Sequence, residues 1–189
     1  MTLTEKFPNL YPGMYCAGIE FFIVEDEVKM IANGKVSNFT ELSFPVIQLL
    51  RETIEKDSAL KMALMDWHPN SEYKRLEQFA KCRFGGLDFE ADIKENTLQS
   101  GEYWDCPLRA TCPSNGLVCK SPKYNNQDLT PVDIALMKMT STSATNEVIA
   151  EELHLHFGTF HKLKKALYDK LKVQTKQEVA LIARSLNLI

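Results

Sequence analysis

Four of the five cysteines fall within a 38-residue span: Cys82, Cys106, Cys112 and Cys119. The last three lie in W-D-C-P-L-R-A-T-C-P-S-N-G-L-V-C, separated by five and then six residues. That stretch is rich in Pro, Asn and Gly, the composition of a loop able to wrap around something. Thiols of an intracellular protein stay reduced and gain little from disulfides. Four thiolates closing on one divalent ion is the chemistry of a structural zinc site, with Cys82 arriving from an earlier element. The spacing is not the C-x-x-C pair of zinc knuckles, so an iron–sulfur cluster and unligated thiols stand as the other readings. Arg83, Arg109 and Lys120 lie next in sequence or within the loop, where they could offset the negative charge of four thiolates. Cys16 stands apart and reads as a small buried hydrophobe or an idle thiol.

The second chemical concentration is cationic. Between His161 and Lys176 there are six lysines against one acid, Asp169. Local excess positive charge suits a phosphate backbone, although a lysine cluster alone is more often a solvated helix face. The surrounding elements decide between these readings. L-T-P-V-D-I-A-L-M opens a helix, with Thr130 as cap, Pro131 at the first helical position and Asp133 at the third. N-E-V-I-A-E-E-L predicts a second, short helix capped by Thr145, with Val148, Ile149 and Leu153 facing inward. The turn H-L-H-F-G leads to T-F-H-K-L-K-K-A-L-Y-D-K-L, where Phe160, Leu163, Leu167 and Leu171 form one apolar stripe. Thr175 and Glu178 have capping-box spacing and start a fourth helix through V-A-L-I-A-R-S-L.

These residues carry a resemblance. L-T-P, N-E-V-I-A, G-T-F and L-Y-D-K-L-K-V make residues 129–189 similar, in one ungapped register, to the C-terminal helix-turn-helix domain of LuxR/FixJ-type transcription regulators. The resemblance implies that residues just after the turn enter the major groove of double-stranded DNA, which places Thr159, His161, Lys162, Lys164 and Lys165 in contact with it. It also implies that the last helix, from Val179 to Leu186, pairs with its twin in a homodimer. The stripe of Val179, Ile182, Ala183 and Leu186 exceeds what a small domain needs if that helix is fully exposed, and is expected to pack partly on the domain and partly on a twin subunit. The sequence departs from the family at His161, Leu163, Val148 and His156, where lysine, histidine, glutamate and a capping serine are usual. Base preference therefore does not carry over.

The front part reads as a small mixed domain. E-F-F-I-V and Val28–Ile31 predict two strands around V-E-D-E, and Asn33–Gly34 marks a further turn. Phe44 to Leu64 has helical spacing throughout and reads as one long helix; Tyr73 to Phe79 predicts another. S-P-K-Y-N-N-Q-D, at 121–128, is polar and turn-rich, the natural connection into the last helices. F-G-G-L-D-F-E-A-D-I and E-Y-W-D-C-P-L-R resemble cysteine-containing regions that precede such helix-turn-helix domains in proteins of Bacteroidetes bacteria and their mobile elements. A phosphorylatable receiver built on Glu25, Asp26 and Asp66 is disfavoured, because the strand–helix alternation it needs is missing. Trp67 and Trp104 are expected in the front core, and His68, His154 and His156 at the surface.

At 189 residues and a net charge of −3, the chain holds one medium and one small domain. From Asp128 onward, eight basic side chains face seven acidic ones, so the front is the acidic part. No apolar run reaches membrane-span length, and M-T-L-T-E-K-F-P-N-L lacks the regions of a secretory signal; a cytoplasmic location is expected. No Gly-rich phosphate loop, nucleophile elbow or paired-carboxylate arrangement stands out, so no enzyme is expected. The expectation is thus an α+β front domain, 1–122, closed by a metal on Cys82, Cys106, Cys112 and Cys119. A linker, 123–128, leads to an all-α four-helix domain, 129–189. The function expected is non-catalytic, sequence-specific DNA binding in transcription regulation, with the transcription machinery as a further partner. The alternatives are a protein-interaction module whose helix-turn-helix has lost DNA affinity, and an iron–sulfur redox-sensing regulator.

Overall fold

A computed structural model describes residues 10–189, so the opening segment read above for a secretory signal lies outside the described residues except for Leu10. The architecture is α+β and divides into two compact units, Met1–Lys120 and Ser121–Ile189. Among the described residues no helix is long and apolar enough to cross a membrane.

The first unit is built on an antiparallel sheet of β1 (Glu20–Val24), β2 (Glu27–Ala32) and β3 (Lys35–Asn38). Two-residue connections fix its register, Glu20 opposite Ile31 and Lys29 opposite Asn38. The turn residues pay no strain beyond what their types tolerate at Asn33–Gly34, both at positive φ. Glu25 and Asp26 adopt φ 50° and 71° at the first turn, the left-handed pair that matches strand twist. Phe21, Val28 and Met30 alternate onto the core face, as period-two patterning requires. They meet α1 (Phe44–Lys56), α2 (Ser58–Trp67) and α3 (Glu72–Arg83), through Leu50, Leu60, Leu64, Phe79 and Phe84. Phe84 lies edge-on to Phe79 and tilted against Phe21.

The single long helix expected from Phe44 to Leu64 is two helices. Asp57 leaves the helical region at φ −119°, ψ 99°, and its Oδ1 accepts from the Leu60 N–H at 3.0 Å. An aspartate competing for a backbone donor turns a continuous apolar spacing into a stop and a new start. The helix expected at Tyr73–Phe79 exists and runs longer, capped by Ser71. Residues 86–102 return along the edge of β1, and Ile93 and Leu98 join the core that holds Phe21. A bridge between Ile19 and Ile93 holds this segment, with β4 (Ile93–Lys94) and β5 (Thr97–Leu98) as its small hairpin. Glu25, Asp26 and Asp66 are all exposed, and the sheet is antiparallel, so the arrangement a receiver requires is not formed.

The second unit starts with a hairpin where a linker was expected: β6 (Lys123–Tyr124) pairs with β7 (Gln127–Asp128) across Asn125 and Asn126, both left-handed. Asparagine tolerates that conformation, so N-N folds what composition alone reads as loose chain. Four helices follow: α4 (Pro131–Thr140), α5 (Asn146–Glu152), α6 (Phe157–Leu171) and α7 (Lys176–Ser185). Thr130, Thr145 and Thr175 cap three of them as expected, Thr130 and Thr175 in full capping boxes with Asp133 and Glu178. Their core is Leu136, Met137, Ile149, Phe160, Leu167, Leu171 and Val179, all almost fully buried. Val148, expected inward, is 44 % exposed. Ile182 and Ala183 are buried in this core as well and Leu186 is half-buried, so the stripe packs on its own unit, as the domain part of the expectation requires.

Candidate functional site

The tight turn between α5 and α6 is made by His154, at φ 52°, with the Leu155 N–H reaching back to the Ala150 carbonyl at 2.8 Å. This left-handed C-terminal turn re-aims the chain within a few residues. α6 then begins at Phe157, two residues earlier than its sequence pattern suggests, and His156 at its cap makes no side-chain hydrogen bond. The first amides of α6 are therefore not satisfied by the capping side chain, and the positive end of the helix dipole is presented outward.

The side chains near that end divide by exposure. Thr159, His161, Lys162 and Lys165 are exposed, and a methyl group added at Gly158 would meet nothing. The His161 ring stands edge-on against Phe157 at 4.3 Å and Phe160 at 5.4 Å, which holds the imidazole at the surface. Lys164 behaves differently. It is half-buried, donates to Asn146 Oδ1 at 2.9 Å and lies 5.4 Å from the centre of the Tyr168 ring. Burial, then the neighbouring Lys176, pull its pKa below the ordinary lysine value. Lys170 pairs with Asp133 at 2.6 Å, and Lys176 donates to the Ala144 carbonyl at 2.8 Å. Three of the six lysines counted in the sequence thus fasten helices together, while Lys162, Lys165 and Lys172 face outward.

In the first unit all five cysteines are free thiols. Cys82 is on the last turn of α3; Cys106 and Cys112 lie in turns of the following loop, and Cys119 is buried at its end. Arg83 ties these parts together: its Nε donates to the Val118 carbonyl at 2.7 Å and Nη2 to that of Leu117 at 3.2 Å. Arg109 braces the loop from within, donating to the Trp104 and Lys120 carbonyls and lying 4.4 Å from the Tyr103 ring centre. Burial pushes the Cys82 thiol up to about 11, and Cys119, Cys106 and Cys112 add to that rise. Cys106, Cys112 and Cys119 thus lie close enough to Cys82 for their charge to act on it. They are gathered but not closed: no three of their sulfurs come within 4.8 Å of one another among the described residues, whereas tetrahedral Zn–S bonds of about 2.3 Å need sulfurs about 3.8 Å apart.

A third cluster was not anticipated, and it corrects the statement that no carboxylates pair. Glu20, Asp92 and Glu102 bring one oxygen each to within 4.8 Å of the others. Glu20 and Asp92 are buried and Glu102 is half-buried. Backbone amides fix them: Asp88 N–H donates to Glu20 Oε1 (2.9 Å), Phe21 N–H to Asp92 Oδ2 (2.7 Å) and Gly86 N–H to Glu102 Oε1 (2.7 Å). Burial raises Glu20 to about 9, opposed by the Asp88 and Asp92 amides and reinforced by the Asp88 and Glu102 charges. Glu102 rises to about 8 through burial and Asp88, and Asp92 rises well above its usual range through burial, Glu102 and Glu20. The one hint in the sequence is an acid heading the apolar strand E-F-F-I-V. Residues 20, 92 and 102 meet only through tertiary pairing.

No family profile, curated protein or solved structure matches the chain.

Proposed function

We propose that the chain is a non-catalytic transcription regulator that binds double-stranded DNA through α5, its turn and α6, used as a helix-turn-helix. The observation that carries this reading is the outward face of the first two turns of α6. An amino-terminal helix end without a side-chain cap, an open Gly158, and exposed Thr159, His161, Lys162 and Lys165 all lie there. Helix amides and lysines neutralise phosphates and set register, while Thr159 and His161 reach base edges in the major groove. Selection of fragments from a random duplex pool by the purified protein tests this. Recovery of a shared sequence, with affinity falling steeply as salt rises, is the expected outcome. Equal retention of all fragments, or none, would sink it.

A second reading has its own support. Val148 and Phe157 are 44 % and 45 % exposed, apolar surface on the two helices that flank the turn. A protein partner would cover them, and an interaction module would then bind no duplex at any salt concentration.

For the first unit we propose a structural zinc ion held by Cys82, Cys106, Cys112 and Cys119. The support is the convergence of four free thiols around Cys82, with Arg83 and Arg109 beside them. When bound, zinc supplies folding free energy rather than reactivity, and its uptake displaces the thiol protons. Elemental analysis should return about one zinc per chain on a four-ligand site. A Ser at any of the four positions should release it, while Cys16→Ser should not. Brown protein with visible absorbance would instead assign an iron–sulfur redox-sensing regulator.

A further inference from the structure

The carboxylate trio lies where the 86–102 segment meets β1, and its electrostatics are unbalanced. Glu20 is 0 % exposed, and its Oε2 has no hydrogen-bond partner. Among the described residues none of the three carboxylates forms an ion pair. An unpaired buried carboxylate oxygen facing two other carboxylates is costly unless a proton or a bound cation neutralises it, and a cation that binds there displaces the proton. Each carboxylate is also pinned by a backbone N–H, so the cluster cannot relieve itself by swinging apart without losing those bonds. A cavity of about 780 Å³ opens against it, with Asp92 and Glu102 in its wall beside Asp88 and Glu90. That cavity gives a hydrated ion a route in, and leaves room for water on the side the protein does not cover.

We propose that Glu20, Asp92 and Glu102 form a binding site for a hard divalent cation, calcium. The donors are all carboxylate oxygens, which select hard ions over zinc; the softer thiols of the cysteine loop select the reverse. Coordination habit narrows the choice. The three carboxylates are each held by a backbone amide, and calcium accepts oxygens in flexible geometry, whereas magnesium demands near-octahedral placement and dehydrates reluctantly. Calcium takes six to eight oxygens, so the trio provides its anionic floor and cavity water completes the shell. Glu20 Oε2 is then a ligand rather than an orphan. The ion also bridges β1 to the 86–102 segment, adding a link where the two are joined by the Ile19–Ile93 bridge.

Calorimetric titration of the purified protein, as isolated and without added zinc, tests the site, with calcium chloride as probe and magnesium and manganese chloride in parallel. The expected result is saturable uptake of one calcium per chain and a higher melting temperature. Glu102→Gln keeps the Gly86 amide bond but removes one charge, and should weaken calcium by about tenfold or more, since ligand charge tunes such sites. Asp92→Asn is a second, independent variant should the first misfold. Glu95→Gln, an exposed acid on the same cavity rim, should leave the affinity unchanged. Absence of saturable uptake at millimolar calcium overturns the proposal. So does equal weakening by Glu95→Gln, which would signify a diffuse acidic field. Tighter binding of magnesium or manganese overturns the assignment to calcium.

Discussion

Glu20 and Glu102, with pKa values near 9 and 8, hold protons at neutral pH when no cation is present. In the unfolded chain both return to about 4.5, so folding takes up protons across the interval between the two states. The sign follows directly. Their contribution is fully present below about pH 4.5 and is lost as pH rises through 8 and 9. The groups facing them are Asp92 and Asp88, both also raised by burial, so no neighbouring base reverses the trend. Thermal melts in chelator should therefore show the first unit losing stability steadily from pH 5 to pH 9, and Glu102→Gln should flatten that slope. A wild-type melting temperature independent of pH over this range would show that the trio keeps no protons.

α6 is the element on which one sequence pattern conceals two jobs. Lys162 and Lys165 project outward, whereas Lys164 is committed to Asn146 at the start of α5. Replacing Lys162 and Lys165 by Ala should lower the log–log salt slope of DNA binding by roughly 0.9 for each lost phosphate contact. Lys164→Ala should leave that slope nearly intact and instead destabilise the unit by about 1 kcal/mol, the worth of an ordinary hydrogen bond. Filter binding across a salt series and a denaturant melt separate the two; a full slope loss in Lys164→Ala would overturn the division. The helices themselves were legible because cap and periodicity agreed at Thr130, Thr145 and Thr175, and because Phe160, Leu167 and Leu171 recur on one face. Asp57 was missed because apolar residues continue on both sides of it, so nothing in the spacing marks the break. The lysines were miscounted as a surface because charge pattern records type and not reach: a long side chain spans to a neighbouring helix as easily as to solvent. The carboxylate trio depends on the Ile19–Ile93 pairing, which no local signal encodes.

At the scale of the whole molecule, each unit carries its own core, and most of the apolar stripe of α7 packs within the second. Ile182→Glu would place a charge at a position 8 % exposed and should unfold the unit, so it reports stability and not assembly. Leu181, 69 % exposed on α7, is the residue a twin could still grip. Leu181→Glu should leave the melt unchanged and, if α7 pairs two copies on DNA, halve the stoichiometry on paired half-sites measured by sedimentation; unchanged stoichiometry would remove α7 from any interface. The Arg83 link has a consequence in time. Its bonds to Val118 and Leu117 span 35 and 34 residues, whereas the hairpins of the sheet close over two-residue turns. Long closures wait on short ones. The cysteine loop therefore settles after the hairpins of the sheet and lets go before them, while the still longer closures of Phe21 on Asp92 and of Asp88 on Glu20, over 71 and 68 residues, wait longer again. Hydrogen exchange should find the cysteine loop losing its protection ahead of the sheet hairpins.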